Sequence, residues 1–136
     1  MEQPTGWLNV DRQIHEARDA LERADSEEGF QSAGLVWREV LISVAQATYN
    51  REKYPPQDEV EPSESDAKRM IEALIAVELA GGNNEEAHAH ATAALNLALV
   101  LQHDQMADFQ TAALCVEATF SVVNIIAILT GRHSTN

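Results

Sequence analysis

His88 and His90 stand two apart in Glu-Glu-Ala-His-Ala-His-Ala, and two imidazoles this close suggest a metal site. A helix turns residues two apart to directions roughly 200 degrees from each other, so these two cannot share one ion. Zinc-binding helices place their histidines three or four residues apart, as in His-Glu-x-x-His, and that pattern is absent. Glu86 and His90 have the i,i+4 spacing, which reads as a surface pair. Glu72, Glu78 and Glu117 fall in or beside apolar stretches, where paired carboxylates could perform acid–base chemistry or hold metals inside a bundle. No Glu-x-x-His motif accompanies them, so they read as solvated helix edges. Neither a Gly-x-Ser-x-Gly elbow nor a phosphate-cradling glycine loop occurs, and the expectation is no metal and no cofactor.

Composition narrows the class further. The chain of 136 residues suits one domain, 1–136, large enough for a core that needs no covalent staple. Its single Cys115 rules out an internal disulfide and sits in Ala-Ala-Leu-Cys-Val as a small core hydrophobe. Aromatics make up 5% of residues, so Ala, Leu, Val and Ile must fill the interior, which favours closely packed helices over strands. With 22 acidic and 9 basic residues the net charge is -13. That surface repels phosphate backbones and anionic membranes, which argues against nucleic acid and permits a basic protein partner or a role as a nucleic-acid mimic. No basic-then-apolar leader opens the chain, and no apolar run approaches ~18 residues, Phe120 to Leu129 being the nearest. A cytoplasmic protein without a membrane span is expected.

Five helices must carry these residues. The first is expected from about Val10 to Ala24, capped by Asn9, with Val10, Ile14, Ala17 and Leu21 on one face and charge on the other. The second runs from about Glu27 to Tyr49 or Asn50 behind Ser26, and Trp37 to Thr48 contribute to a broad apolar face with Arg38 and Glu39 at its edge. Arg51 to Ser63 holds Pro55, Pro56 and Pro62 among carboxylates, and reads as an exposed acidic connection. The third helix begins near Ser63 or Ser65 and stops at Gly81-Gly82. Asn83 and Glu86 have capping-box spacing at the start of the fourth, which continues to about Gln102. The fifth follows His103-Asp104 and closes at Thr130-Gly131, with Met106, Phe109, Ala113, Val116, Phe120 and Val123 on one side. The fold class is all-α, an antiparallel bundle of four main helices plus an N-terminal amphipathic one. Its expected core is Trp37, Leu41, Val44, Leu74, Val77, Leu97, Leu101, Phe109, Val116, Phe120 and Ile126. The last two helices are more apolar than a small bundle can hide, so a homodimer is expected.

Leu95 to Asp104 ends an apolar helix on His103, a second long apolar helix follows, and the second helix carries Trp37-Arg38-Glu39. In this pattern, over about Phe30 to Gly131, the chain resembles the HEPN superfamily of small helical-bundle domains common in toxin–antitoxin and phage-defence systems. The resemblance implies a dimeric antiparallel bundle and, in active members, an RNase site built from Arg, four to six residues, then His. His103 matches the histidine, but Asn96, Leu97 and Ala98 occupy the arginine positions. Without a guanidinium to hold phosphate, cleavage loses its main electrostatic device. The expectation is therefore a non-enzymatic interaction or regulatory domain in a bacterial defence setting. Two alternatives stand beside it: a HEPN-type ribonuclease using His103 with Arg38, and an acidic mimic of nucleic acid.

Overall fold

The computed structural model describes residues 7–56, 60–63, 65–103 and 108–131. Among them are five α-helices and no strand: α1 (Leu8–Arg23), α2 (Glu27–Thr48), α3 (Ala67–Glu78), α4 (Glu85–His103) and α5 (Phe109–Leu129). The all-α class read from composition and periodicity is what the chain adopts. Helices α2 to α5 share one core. α2 touches the other three, α4 and α5 form a tight hairpin, and α1 packs on α2 from outside.

Local chemistry sets the helix ends. Ser26 caps α2 by accepting the Gly29 amide at 3.1 Å, and Glu27 and Glu28 sit against the positive end of the helix. Asp66 caps α3 and Asp108 caps α5 in the same way, through the amides of Arg69 and Thr111. Four expected boundaries move. α1 begins at Leu8, so Asn9 lies inside it, where its carboxamide oxygen accepts from Arg12 instead of capping. α3 starts at Ala67, because Asp66 outcompetes Ser63 and Ser65 as a cap. It also ends at Glu78, short of the glycines, and a 3-10 turn over Gly82–Asn84 leads into α4 with Gly81 at φ +99°. α5 starts only at Phe109. Met106, placed on its buried side from sequence, lies outside the described residues.

The interior is as aromatic-poor as the composition requires. Trp37, Leu41, Val44, Leu74 and Ile126 are buried, as expected, together with Val116 and Phe120. Trp7, Val10, Ile14 and Ala17 join the same core, so α1 is held by a continuous apolar face. Four expected core positions are not buried. Val77, Leu97 and Phe109 are 38%, 47% and 60% exposed, and Leu101 is only half-buried. On α4 the core side is instead Ala91, Leu95 and Ala98, with alanine letting the neighbouring helices come close.

α5 also corrects the reading of apolar length. It is 21 residues long and contains an 18-residue stretch of mean hydropathy 2.1, enough in length and composition to cross a membrane. Glu117, Ser121 and Asn124 break the run without lowering its average below that level. Just over half of the stretch (56%) is buried inside the protein, so the core uses much of that apolar surface.

Trp37 and its neighbour Arg38 separate these effects. Trp37→Ala is expected to lower the unfolding free energy by about 3–5 kcal/mol in urea titration, while exposed Arg38→Ala stays within about 0.5 kcal/mol. Equal losses at the two positions would show that the core is not centred on this face of α2.

Candidate functional site

A groove lies between α2 and the segment leading into α3. One part, of about 300 Å³, is lined by Arg38, Leu41 and Ile42 of α2, by Ser63, Ser65, Asp66, Ala67 and Lys68, and by Leu99 of α4. A second cleft of about 410 Å³ shares Ser63 and continues past Gln46, Tyr49, Pro62 and Met70. On α2, residues 38, 42, 46 and 49 follow the three-to-four spacing of one helix face, and this repeat draws the groove along the helix.

The groove has an uneven charge. The Asp66 carboxylate accepts from the Arg69 amide at 3.2 Å and from its guanidinium at 2.8 Å. Its negative charge is thus matched within its own turn. Arg38 and Lys68 form no ion pair among the described residues, although acids outnumber bases more than two to one in this chain. Two cations with two serine hydroxyls beside them could receive an anionic or hydroxyl-bearing group.

His103 stands in the last turn of α4, one turn beyond Leu99. The two residues suspected of phosphate chemistry, Arg38 and His103, thereby belong to neighbouring parts of the fold. The other candidates are spread apart. His88 is half-buried and His90 exposed, Glu117 is exposed, and Glu72 lies on the edge of α3. Among the described residues no three His, Cys, Asp or Glu side chains gather to hold a metal. Cys115 is fully buried, in keeping with a core role.

One polar cluster was not legible in the sequence. Tyr54, in the connection expected to be exposed, is buried and donates its hydroxyl to Glu78 at the end of α3 at 2.6 Å. Lys53 reaches the same carboxylate at 3.3 Å and also lies over the Tyr54 ring. Glu78 is therefore no simple solvated edge. The only signal was an aromatic ahead of Pro55-Pro56 in a polar stretch. The Tyr54 hydrogen bond holds the Glu78 carboxyl below its ordinary range; partial burial opposes this and Lys53 reinforces it. Burial, then the bond to Glu78, pushes the Tyr54 hydroxyl up. This arrangement ties the acidic connection to the bundle.

A different feature faces outward on the hairpin. Leu97 and Val100 on α4 and Phe109 and Leu114 on α5 are 47%, 55%, 60% and 48% exposed. All four lie toward the end of the hairpin where α4 hands over to α5. No ionic residue occurs between Ala87 and His103, and Glu117 is the only one between Phe109 and Gly131.

The Tyr54–Glu78 tie makes a pH-dependent contribution. A carboxyl whose folded pKa is lowered adds stability that is complete above the unfolded value and is lost as pH falls through the folded one. Tyr54→Phe should cost about 1 kcal/mol at pH 7. The stability gap between the natural chain and Glu78→Gln should narrow as pH falls below about 4.3. A gap that stayed constant from pH 7 to pH 3 in denaturant titrations would show that Glu78 is not held ionised by this contact.

No protein-family model matches this chain, and neither the curated proteins nor the solved structures contain a match, so none of these comparisons identifies a HEPN-like domain.

Proposed function

We propose that this chain is a non-enzymatic protein-interaction domain that docks a partner through the outer surface of the α4–α5 hairpin. One observation supports this reading above the others: four large apolar side chains stand exposed at one end of a hairpin that carries no ionic residue from Ala87 to His103 and only Glu117 from Phe109 to Gly131. Scattered single hydrophobics are ordinary on any surface, but several on one supersecondary unit are a feature of recognition surfaces. Burying such side chains against a partner yields on the order of 25 cal/mol per Å² of apolar area. Regulation of a defence or toxin–antitoxin pathway is the setting that the HEPN resemblance implies for such a domain.

The test uses the full chain as bait in an extract of its own cells. Proteins retained stoichiometrically by the natural chain should fall at least tenfold on a Leu97→Glu/Leu114→Glu variant and persist on Arg38→Ala. Retention of the same proteins on all three baits would refute docking through the hairpin.

A second reading is favoured by the groove. Arg38 and Leu99 line one cleft, and His103 is the next turn along α4. A ribonuclease drawing its cation from α2 would use this neighbourhood, with Arg38 stabilising phosphate charge and His103 moving the proton. Under this reading, both His103→Ala and Arg38→Ala lower RNA cleavage at least ~100-fold. Background activity equal to that of the natural chain in both variants would end it.

A further inference from the structure

The groove between α2 and α3 brings two cations and two hydroxyls to one place. Arg38, Lys68, Ser63 and Ser65 all line the cleft of about 300 Å³, and all four are exposed. Asp66, the one acid among its described lining residues, is held by Arg69. Glu61, two residues before Ser63, pairs with Arg51 at 3.2 Å. Arg38 and Lys68 have no ionic partner among the described residues. A chain of net charge -13 thus keeps two cations unmatched beside one cleft. Such a cleft is complementary to an anion.

The chain itself can carry that anion. Ser63 lies outside the helices and lines both clefts of the groove. Its carbonyl accepts the Asp66 amide at 3.1 Å, which fixes its backbone at the start of α3. Its hydroxyl makes no hydrogen bond among the described residues. Ser65 is less open to an enzyme, because its carbonyl closes a tight turn on the Ala67 amide at 3.0 Å. In sequence Ser63 stands among Glu61, Glu64 and Asp66, which would steer a kinase with a basic substrate cleft to this serine. We propose that Ser63 is a phosphorylation site and that Arg38 and Lys68 receive its phosphate.

The donor is ATP, bound by a separate protein kinase. The Ser63 oxygen forms a bond to the γ-phosphorus, the bond from that phosphorus to the β–γ bridging oxygen breaks, and ADP leaves. The hydroxyl proton passes to the base of the kinase. The product carries roughly two negative charges and three acceptor oxygens at pH 7, which two cations match. The planar guanidinium of Arg38 can take two of those oxygens at once, and the Lys68 ammonium adds a point charge. On most of this acidic surface a new dianion would be repelled, whereas here it is paired. The connection is already fastened by Tyr54 to the last residue of α3. Phosphate on Ser63 fastens its other end to α2 and fills the cleft, so phosphorylation closes this part of the groove.

Two measurements test this, one for the receiving cations and one for the modification. The full chain is first made with phosphoserine at position 63. In phosphorus NMR titrations at low salt its phosphate should lose the second proton below the ~6 of a free phosphoserine. Arg38→Gln/Lys68→Gln in the phosphorylated chain should return that midpoint to ~6. Both residues are exposed, so the fold stands without their charges. The phosphate should also raise the melting temperature by about 3 °C at low salt, and that gain should vanish in the double variant. A phosphate that titrates alike with and without Arg38 and Lys68 overturns the receiving site. In the second measurement the natural chain is incubated with γ-labelled ATP in an extract of its own cells. Label should appear on Ser63 and be lost in Ser63→Ala. Label absent from the natural chain, or undiminished in Ser63→Ala, overturns the modification.

Discussion

The indole of Trp37 lies against the ring of Phe120 at a centroid separation of 5.1 Å and an interplanar angle of 60°, and the middle of α2 is fixed to the middle of α5 there. With so few aromatic residues, this pair supplies a large share of the bulky contact in an interior otherwise made of alanine and branched aliphatics. The Arg18 guanidinium stacks over the outer side of Phe120 at 4.7 Å, which carries the same contact out to α1. Among the described residues no acceptor reaches the Trp37 indole nitrogen, a buried group whose desolvation typically costs about 1–3 kcal/mol. That the residue is still fully buried shows how much the ring packing outweighs the lost hydrogen bond. α2 can then serve as the common neighbour of α3, α4 and α5, and the groove from Arg38 to Tyr49 is the part of α2 that these helices leave uncovered.

Helix existence was readable in the sequence because each segment combines three-to-four apolar spacing with a stop signal. α2 shows this best. Ser26 and two glutamates mark its start, and Trp37, Leu41, Val44 and Ala45 mark its inner face. Facing failed where the pattern lost contrast. From Leu95 to Leu101 nearly every side chain is apolar, so periodicity cannot say whether Leu95 or Leu97 points inward. The structure answers through size. The inner side of α4 takes Ala91 and Ala98 around Leu95, since the partners on both sides come close, and this turns Leu97 and Val100 outward. Capping misled in a similar way at α3, where Ser63 and Ser65 read as the start and Asp66 is the residue that caps it.

The polar cluster at the end of α3 lay beyond any reading by spacing. Tyr54 and Glu78 are 24 residues apart, and only the return of the connection across the bundle joins them. A proline-rich acidic stretch normally counts as solvated, and most of its described residues are exposed. One buried tyrosine changes its role from a free loop to a strap over the end of a helix. The groove shows the same limitation, because Arg38, Lys68 and Leu99 come from three helices and no local motif could have grouped them.

The two halves of the chain divide the work of folding and recognition by charge. Up to Glu86 the helices are amphipathic, and their ionic outer faces keep them in water whatever they meet. Beyond it the hairpin is so apolar that its inner side is the centre of the core and its outer side still carries Leu97, Val100, Phe109, Leu114 and Ile128. Packing alone does not require this. Glutamate or lysine at 97 or 114 would keep the helix and remove exposed apolar area. A chain that places 19 of its 22 carboxylates at or before Glu86 has ready means to cover these positions and leaves them bare. Stability of the single bundle offers no reason for that pattern, whereas association through the hairpin does.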